Sequence, residues 1–419
     1  MMATPQKSRT EKLGLNPRLF TALALFALPL IYFFPAVLGK VALVPGDGLT
    51  QNLGVRVLIG QMLAAGMWPL WNPYIFGGTP LLASIYPGAL YPPNWLFAVL
   101  PPQAALNLVV ITTYHLTLIG TYLYARRIGC HRIGALLAGM AFTFGAYMVG
   151  HLGHTSRIAA GCWLPWILLA LEQLYWQVRW RWISLGALFI ALQLFAGEPQ
   201  MNLYTVMVAG SYGLFTLLVR TEGKARLRLL GALAMMAFCG LLLSLVALLP
   251  QREFLAFGER AAIDYDYFSQ FSFPPREAFV LFFPYFFGGA AMEPYQVQYW
   301  GSFGGTEWMG YVGMLTWLLA LCGLLRWRRW GNLSWFWGGW AVLALVLAFG
   351  GYLPFELNRL LFQIPVYKLF RASGRHMFEF TFALGMLAGL GYTALAEAEA
   401  KVVRRVAALS CSALLLVLA

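Results

Sequence analysis

Charged residues are scarce in this sequence, because Asp, Glu, Lys and Arg together make up only 11% of its 419 residues. A soluble globular domain carries about 25% charged residues. The composition therefore excludes a soluble enzyme, a disordered chain and a coiled coil. Hydrophobic residues account for 60% of the chain, and the mean hydropathy is +0.68. These values predict a membrane protein with several spans.

Cysteine and acidic residues are also few. The five cysteines all lie in predicted spans or in basic connections, so no disulfide framework is expected in the outer loops. The 16 acidic residues are outnumbered by 29 Lys and Arg, and the formal net charge is +13. In a soluble protein such an excess suggests nucleic acid. Here the position of the basic residues explains it better.

Long apolar runs predict an all-α polytopic membrane protein with about eleven transmembrane helices of about 20 residues each. Residues 1–18 form a polar N-terminal segment, and residues 19–419 form the transmembrane domain with its loops. The last run reaches only Ala419, which favours a chain that stops within its last span. The predicted spans are Leu19–Leu38, Ala104–Ala125, Ile133–Gly150, Ile158–Trp176, Trp182–Ala196, Met201–Val219, Leu229–Leu249, Met309–Leu325, Leu333–Gly350, Met377–Leu395 and Val406 onward.

Basic residues gather in alternate connections between these spans. The positive-inside rule assigns such connections to the cytoplasm, so the N-terminus is expected to be cytoplasmic and no nucleic-acid partner is needed. The remaining, longer connections form outer loops at 39–103, 250–308 and 352–376. The basic residues concerned are Lys7, Arg9, Lys12, Arg18, Arg126, Arg127, Arg132, Arg179, Arg181, Arg220, Lys224, Arg226, Arg228, Arg326, Arg328, Arg329, Lys401, Arg404 and Arg405.

The first outer loop is rich in aromatic residues and proline between Trp68 and Trp95. Two interpretations stay open for this stretch. It is either an aromatic belt at the membrane surface or a wall for a lipid-linked or sugar substrate. Before it, Val55–Ala65 has helical periodicity and is expected to lie along the membrane interface.

Asp47 is the first candidate for chemistry. It stands between Gly46 and Gly48 just after the first span, where flanking glycines let the backbone turn and leave the carboxylate uncrowded. An Asp-Gly pair is also ordinary turn chemistry. A catalytic carboxylate and a structural turn are therefore both compatible with the sequence.

His151, His154 and Arg157 form a second cluster at the outer end of a span. Two histidines three residues apart share one face of a helix and could hold a divalent cation. They could equally bind a phosphate or a sugar hydroxyl.

Glu198 and Gln200 flank Pro199 between two spans, where a carboxylate is costly and is usually paired or functional. The alternative is that Glu198 only complements the dipole of the next helix.

The last cluster comprises Lys368, Arg371, Arg375 and His376, immediately before a span. These basic residues lie on the outer side, whereas the other basic clusters lie in the cytoplasmic connections. A basic cluster in this position therefore needs a local anion. A phosphate at the membrane surface fits, because arginine binds phosphate in a bidentate manner. The alternative is an internal partner such as Glu379 or Asp47.

Taken together, these segments resemble the YfhO-like bacterial membrane proteins of the GT-C superfamily of glycosyltransferases. The resemblance covers most of the chain in a consistent order, and members of that family are often longer. It is carried by Gly46–Gly48, Trp71–Gly78, Tyr91–Trp95, His151–His154 with Trp163–Trp166, Gly197–Gln200 and Phe370–Arg375.

The resemblance implies transfer of a sugar from a polyprenyl-phosphate donor to an acceptor in the cell envelope, outside the bacterial cytoplasmic membrane. It implies that Asp47 is the catalytic base. Glu198, the second catalytic candidate, would orient the sugar or acceptor together with His151 and His154, or hold a divalent cation with them. Arg371 and Arg375 would stabilise the departing lipid phosphate, and the remaining candidates would bind donor or acceptor. The first loop has a single Asp where the superfamily often has an acidic pair, so the resemblance assigns no certain cofactor.

Two other functional classes stay open. A transporter or flippase for a lipid-linked or anionic solute would place charged residues in mid-span, whereas charged residues are scarce in mid-span here and the candidates for chemistry gather at the outer edge. A non-catalytic scaffold for envelope assembly would tolerate replacement of Asp47 and Arg371. Neither class requires the clustering of carboxylates, histidines and arginines on one side of the membrane.

Overall fold

The structure is a computed structural model that describes residues 16–43, 45–257, 263–289, 297–325, 332–354 and 356–398. Its described part is mostly helical, with one short hairpin of two-residue strands, β1 (Trp71–Asn72) and β2 (Thr79–Pro80). The α-helices are α1 (Pro17–Tyr32), α2 (Phe34–Val37), α3 (Gly54–Ala64), α4 (Pro102–Arg127), α5 (Arg132–Thr143), α6 (Ala146–Gly150), α7 (Thr155–Gly161), α8 (Leu164–Trp176), α9 (Trp180–Phe195), α10 (Pro199–Phe215), α11 (Gly223–Leu255), α12 (Tyr265–Ser269), α13 (Met314–Leu325), α14 (Asn332–Phe349), α15 (Leu357–Phe362) and α16 (Met377–Ala396).

Short helical turns fill several of the connections. The 3₁₀ segments are Pro92–Ala98, Pro275–Leu281, Gly305–Trp308, Gly350–Tyr352, Tyr367–Leu369 and Ser373–His376, and the π-helical segments are Gly48–Leu53 and Thr216–Arg220.

Within the described ranges, 7 helical segments are long and apolar enough to cross a membrane, which makes this a multi-pass membrane protein. The predicted spans at Leu19–Leu38, Trp182–Ala196 and Met309–Leu325 correspond to shorter apolar helices, and the one from Val406 lies outside the described residues. The larger number of spans therefore stays a prediction. The 7 segments are Pro102–Arg127, Arg132–Gly150, Thr155–Trp176, Pro199–Arg220, Gly223–Leu255, Asn332–Tyr352 and Ser373–Ala396.

Proline and glycine explain why two of these helices are shorter than predicted. The run Leu19–Leu38 breaks at Phe33, because Pro35 starts a new helical turn in α2. The run from Met309 becomes helical only at Met314, because Gly313 before it has a φ of +88°. The apolar sequence continues through both breaks, but the helical conformation of the backbone does not.

Helix α16 lies at the centre of the bundle and packs against α5, α13 and α14. Glycines allow the close approach, since a Cβ at Gly389 would lie 3.1 Å from the carbonyl oxygen of Gly134 in α5. A Cβ at Gly391 would overlap the carbonyl oxygen of Leu319 in α13. These contacts match the small-residue packing that helices use in membranes.

The first outer loop folds into a layer on top of the bundle. Helix α3 confirms the helix expected over Val55–Ala65 and packs against the 3₁₀ segment Pro92–Ala98. That segment in turn packs on the first turns of α4, where Phe97 is buried beside Leu106. The layer therefore lies directly against the end of a membrane-crossing helix.

Candidate functional site

A cavity of about 1470 Å³ opens where the outer loops meet the ends of several helices. Its wall combines aromatic rings with charged groups from distant parts of the sequence. The charged side chains are the carboxylates of Asp47, Glu198 and Glu307 and the guanidinium groups of Arg157, Arg371 and Arg375, accompanied by His154 and Gln200. The cavity therefore brings seven of the nine predicted site residues to one surface, and it excludes His151 and His376.

Glu307 lies at the centre of a charged network with Arg375, Arg157 and His151, although no sequence pattern identified it. Arg375 donates from Nε and Nη2 to the two carboxylate oxygens at 2.6 and 2.7 Å. Arg157 donates from Nη1 at 3.2 Å, and Nε2 of His151 lies 3.4 Å from the same carboxylate. Burial is the largest single influence and raises the pKa of Glu307, but the hydrogen bonds from Arg375 and His151 and the charges of Arg157 and Arg375 together hold that pKa well below its ordinary value.

The loop that carries Glu307 is fixed by a second buried carboxylate, Glu277. It accepts hydrogen bonds from the backbone N–H of Ser302 at 2.7 Å, from Tyr299 Oη at 3.1 Å and from Trp308 Nε1 at 3.3 Å. The glycine run Gly301–Gly305 lets this loop fold tightly, since a Cβ at Gly301 or Gly305 would overlap the Tyr299 ring. The run is therefore structural.

Asp47 lines the same cavity, and its side chain is 51% exposed. Its Oδ2 lies 3.4 Å from Nε2 of His154. Burial, followed by the charge of Arg157, lowers the pKa of His154 to about 4. His154 is therefore neutral at pH 7, and Asp47 faces the cavity without a cationic partner among the described residues.

Close packing holds the Asp47 turn against the segment that carries His154. A Cβ at Gly153 would overlap the carbonyl oxygen of Pro45. The buried Asn52 donates from Nδ2 to the carbonyl oxygens of Gly153, at 3.4 Å, and Asp47, at 3.5 Å. Glycine is therefore required at position 153 for these two segments to meet.

Arg56 lies behind the site as a buried cation and was not predicted to matter. It donates to Thr155 Oγ1, to Ser156 Oγ at 3.0 Å and to the carbonyl oxygen of Pro87 at 3.5 Å. Burial lowers its pKa to about 10, so the guanidinium is still charged at pH 7. It anchors the first turn of α7, which carries Arg157 into the cavity.

Three buried polar atoms of cavity-lining residues have no hydrogen-bond partner within the described part of the chain. They are Nδ1 of His154, Nε of Arg157 and Oε2 of Glu198. Glu198 stands immediately before α10, a position compatible with the helix-dipole alternative, although its side chain makes no cap hydrogen bond. Unsatisfied buried groups of this kind are rare and need an explanation. Ordered water is the usual partner of such groups.

Arg371 and Arg375 differ in how far they are committed to protein partners. Arg375 donates from Nε and Nη2 to both carboxylate oxygens of Glu307, and from Nη1 to Gln200 Oε1 at 2.5 Å. Arg371 donates only to the neutral Gln270 Oε1, at 3.1 Å, and lies over the ring of Tyr267. No described carboxylate pairs with Arg371, whereas the internal partner of Arg375 is Glu307 and not Glu379 or Asp47.

The backbone before α16 is strained at this point. Ala372 has a φ of +66°, which a residue with a Cβ rarely adopts. Backbone hydrogen bonds from Ala372 to Gln270 and from Gly374 to Phe271, both 3.1 Å, hold the turn. Such strain often occurs at functional sites.

The prediction that His151 and His376 contact substrate directly is not supported, because both are fully buried behind the cavity wall. His151 donates from Nδ1 to the carbonyl oxygen of Tyr147 at 2.8 Å and faces Glu307 on its other side. His376 contacts Glu379 at 2.5 Å through Nδ1 and Tyr367 Oη at 2.6 Å through Nε2. Both histidines therefore support the cavity wall from the protein interior.

The histidine pair also offers no divalent-cation site in this conformation. Across the described ranges, no group of three or more His, Cys, Asp and Glu residues could hold a metal ion. Both ring nitrogens of His151 are already engaged, and His154 faces Asp47. A cation would therefore need to displace existing contacts.

The aromatic stretch Trp68–Trp95 contributes little to the cavity. Of its tryptophans and tyrosines, Tyr86 lines the cavity and Tyr91 is buried in the core. Trp68, Trp71 and Tyr74 are exposed away from it. The aromatic wall comes instead from the other outer loops, including Tyr267, Phe271 and Phe303.

Neither a protein-family model nor a curated protein sequence matches this chain. The functional argument therefore depends on the chemistry of the cavity.

Proposed function

We propose that this protein is a membrane glycosyltransferase of the GT-C type. It would move a sugar from a polyprenyl-phosphate donor to an acceptor in the cell envelope. In this proposal the N-terminus is cytoplasmic and the cavity opens on the outer side of the bacterial cytoplasmic membrane, as the distribution of Lys and Arg indicates.

One observation carries the proposal. The same cavity is lined by Asp47, a solvent-accessible carboxylate, and by Arg371, a guanidinium with no described carboxylate partner. A transferase that uses a lipid phosphate needs both groups, a base for the acceptor and a cation for the leaving group. Since the two lie on one cavity wall at the end of the helix bundle, a single substrate could reach both.

The chemistry assigned to these groups is a displacement at the anomeric carbon of the donor sugar. Asp47 accepts the proton of an acceptor hydroxyl as its oxygen forms a bond to that carbon. The bond from the same carbon to the phosphate oxygen breaks, and the electron pair leaves with the polyprenyl phosphate. Arg371 stabilises the added negative charge, since a guanidinium can donate two parallel hydrogen bonds to a phosphate.

The other groups take positioning and binding roles in this proposal. Arg375 and Gln200 hold each other and Glu307 in place, so Arg375 contributes charge near the phosphate while Arg371 makes the direct contact. Glu198, His154 and Arg157 line the same cavity and bring hydrogen-bond acceptors and donors to its wall. Sugar hydroxyls both donate and accept hydrogen bonds, so this set suits a sugar ring.

The test is sugar release from a labelled polyprenyl-phosphate sugar in proteoliposomes, with a panel of acceptors. Asp47→Asn should lower the rate about 10²–10⁴-fold, the usual worth of a positioned base. Arg371→Gln should also lower it while the protein stays folded. Glu356→Gln serves as the control, because that carboxylate is 72% exposed and pairs only with Arg359.

The outcomes distinguish the candidate functions. Equal rates for wild type and Asp47→Asn would remove Asp47 from the mechanism. No release by the wild type with any donor would contradict the transferase proposal, and passage of the labelled donor across the vesicle membrane would then support a transporter. A rate that falls with a chelator would show that a divalent cation takes part.

A further inference from the structure

The β1–β2 hairpin in the first outer loop projects a six-residue tip away from the protein. The strands pair Trp71 with Pro80 and Asn72 with Thr79, and residues 73–78 connect them. Below the hairpin, Leu81 is buried against α3 in a small apolar cluster. The hairpin is therefore rooted in the layer that packs on the beginning of α4.

The tip is apolar and open. Phe76 is 95% exposed and Tyr74 is 79% exposed, and Ile75 lies between them. Trp68 and Leu70, just before β1, are also exposed, at 64% and 57%. Single exposed apolar side chains are normal on a protein surface, but several in one short segment point to an interaction site.

The hairpin holds this shape through local contacts. Asn72 Oδ1 accepts a hydrogen bond from the backbone N–H of Tyr74 at 3.0 Å, and the N–H of Gly78 donates to Ile75 at 2.8 Å. The Trp71 ring lies against Gly78, where a Cβ would come within 2.6 Å of it. Phe76 has a φ of +53°, a costly conformation for an aromatic residue. These local contacts therefore hold the tip in a conformation in which the Phe76 side chain is exposed.

The surrounding sequence excludes charge. No Asp, Glu, Lys or Arg occurs between Arg56 and Arg126, a range that includes the whole hairpin and nearly all of α4. Exposed loops in water normally carry charged residues, whereas Trp and Tyr without charge are typical of the membrane–water interface. The layer below the hairpin packs on the start of α4, a helix that is long and apolar enough to cross a membrane.

We propose that the tip, Tyr74 to Phe76, inserts into the bilayer beside the start of α4. The partner is lipid, at the level where the headgroups meet the acyl chains. The inserted tip would hold the outer-loop layer, including α3 and the Asp47 turn, at a fixed height above the membrane. The proposal does not depend on the reaction assigned to the cavity.

The experiment uses the full chain with its five cysteines replaced by alanine and one new cysteine, Phe76→Cys, labelled with a polarity-sensitive fluorophore. Phe257→Cys is the matched control. Phe257 is 85% exposed, but charged residues lie on both sides of it, at Arg252, Glu253, Glu259 and Arg260. Both proteins are reconstituted into vesicles, either with lipids brominated on their acyl chains or with iodide in the buffer.

The label at position 76 should lose most of its emission with brominated lipid and little with iodide, and the label at 257 should show the reverse. A second label, at Tyr74→Cys, should follow position 76. Iodide quenching at 76 equal to that at 257 would overturn the proposal. Protection from both quenchers would also overturn it, because the tip would then contact protein.

Discussion

Replacing Glu307 by glutamine tests the charged network most directly. The substitution keeps the size of the side chain but leaves Arg375 and Arg157, whose side chains are only 11% and 4% exposed, without a neutralising carboxylate. Removing one partner of a buried ion pair costs about 3–5 kcal/mol. Because the cavity admits water beside Glu307, we expect a loss of about 3 kcal/mol in the free energy of unfolding.

Thermal unfolding in detergent can follow this change with a thiol-reactive dye. Cys239 and Cys322 are partly exposed and are first replaced by alanine, together with Cys411. Cys130 and Cys162 are fully buried, so they react only when the bundle opens. Glu356→Gln is the control, since its ion pair with Arg359 is exposed on both sides and should contribute no more than about 1 kcal/mol. Added pyrophosphate should stabilise Glu307→Gln more than the wild type, because the freed guanidinium groups then lack an internal anion.

Two results would refute the reasoning. Unfolding of Glu307→Gln at the wild-type temperature would show that the carboxylate does not hold the arginines. A destabilised variant that gains nothing from pyrophosphate would show that the freed guanidinium groups do not form an anion site.

Three further predictions concern the cavity wall. Gly153→Ala should reduce sugar release, because the added methyl group displaces the Pro45 carbonyl and with it the Asp47 turn. Gly54→Ala is the control and should leave release unchanged, because the space around Gly54 is open. A normal rate for Gly153→Ala would contradict the packing argument. The low pKa of His154 means that protonation opposes folding, so the wild type should lose stability as the pH falls from 6.5 to about 4. His154→Gln should lose less over that window, as measured by melting temperatures at both ends, and equal losses would count against the assignment. Arg371→Lys should keep the charge but raise the KM for the donor, since lysine cannot form a bidentate contact with phosphate; an unchanged KM would place the phosphate elsewhere.

The sequence predicted the helical membrane class and much of the cavity lining because these depend on local patterns. Apolar runs mark helices whatever their partners, and an uncompensated basic cluster such as Arg371 and Arg375 signals an anion nearby. The order of the runs placed Asp47, Glu198 and these arginines at helix ends on one side. That common placement was enough to predict a shared surface.

The partners could not be read from the sequence, because they are set by contacts between distant segments. Glu307 lies 68 residues from Arg375 and 150 from Arg157, and nothing local marks it as their common acceptor. Arg56 gave a weak signal as an isolated cation in an apolar helix, but its hydroxyl partners come from α7. The burial of His151 and His376 likewise depends on tertiary packing, which the periodicity of apolar residues along the chain does not predict.

The glycine contacts of α16 determine which part of the cavity wall is rigid. Because Gly389 and Gly391 bring its backbone against α5 and α13, this helix has no room to tilt or slide without steric overlap. Arg375 lies two residues before the helix, so its backbone is held in place as well. The segment 297–308, which carries Glu307, is held in turn by the hydrogen bonds of Glu277 and by the buried Trp308. The Arg375–Glu307 ion pair therefore belongs to the rigid part of the wall, and a substrate enters through the opening that the cavity already has.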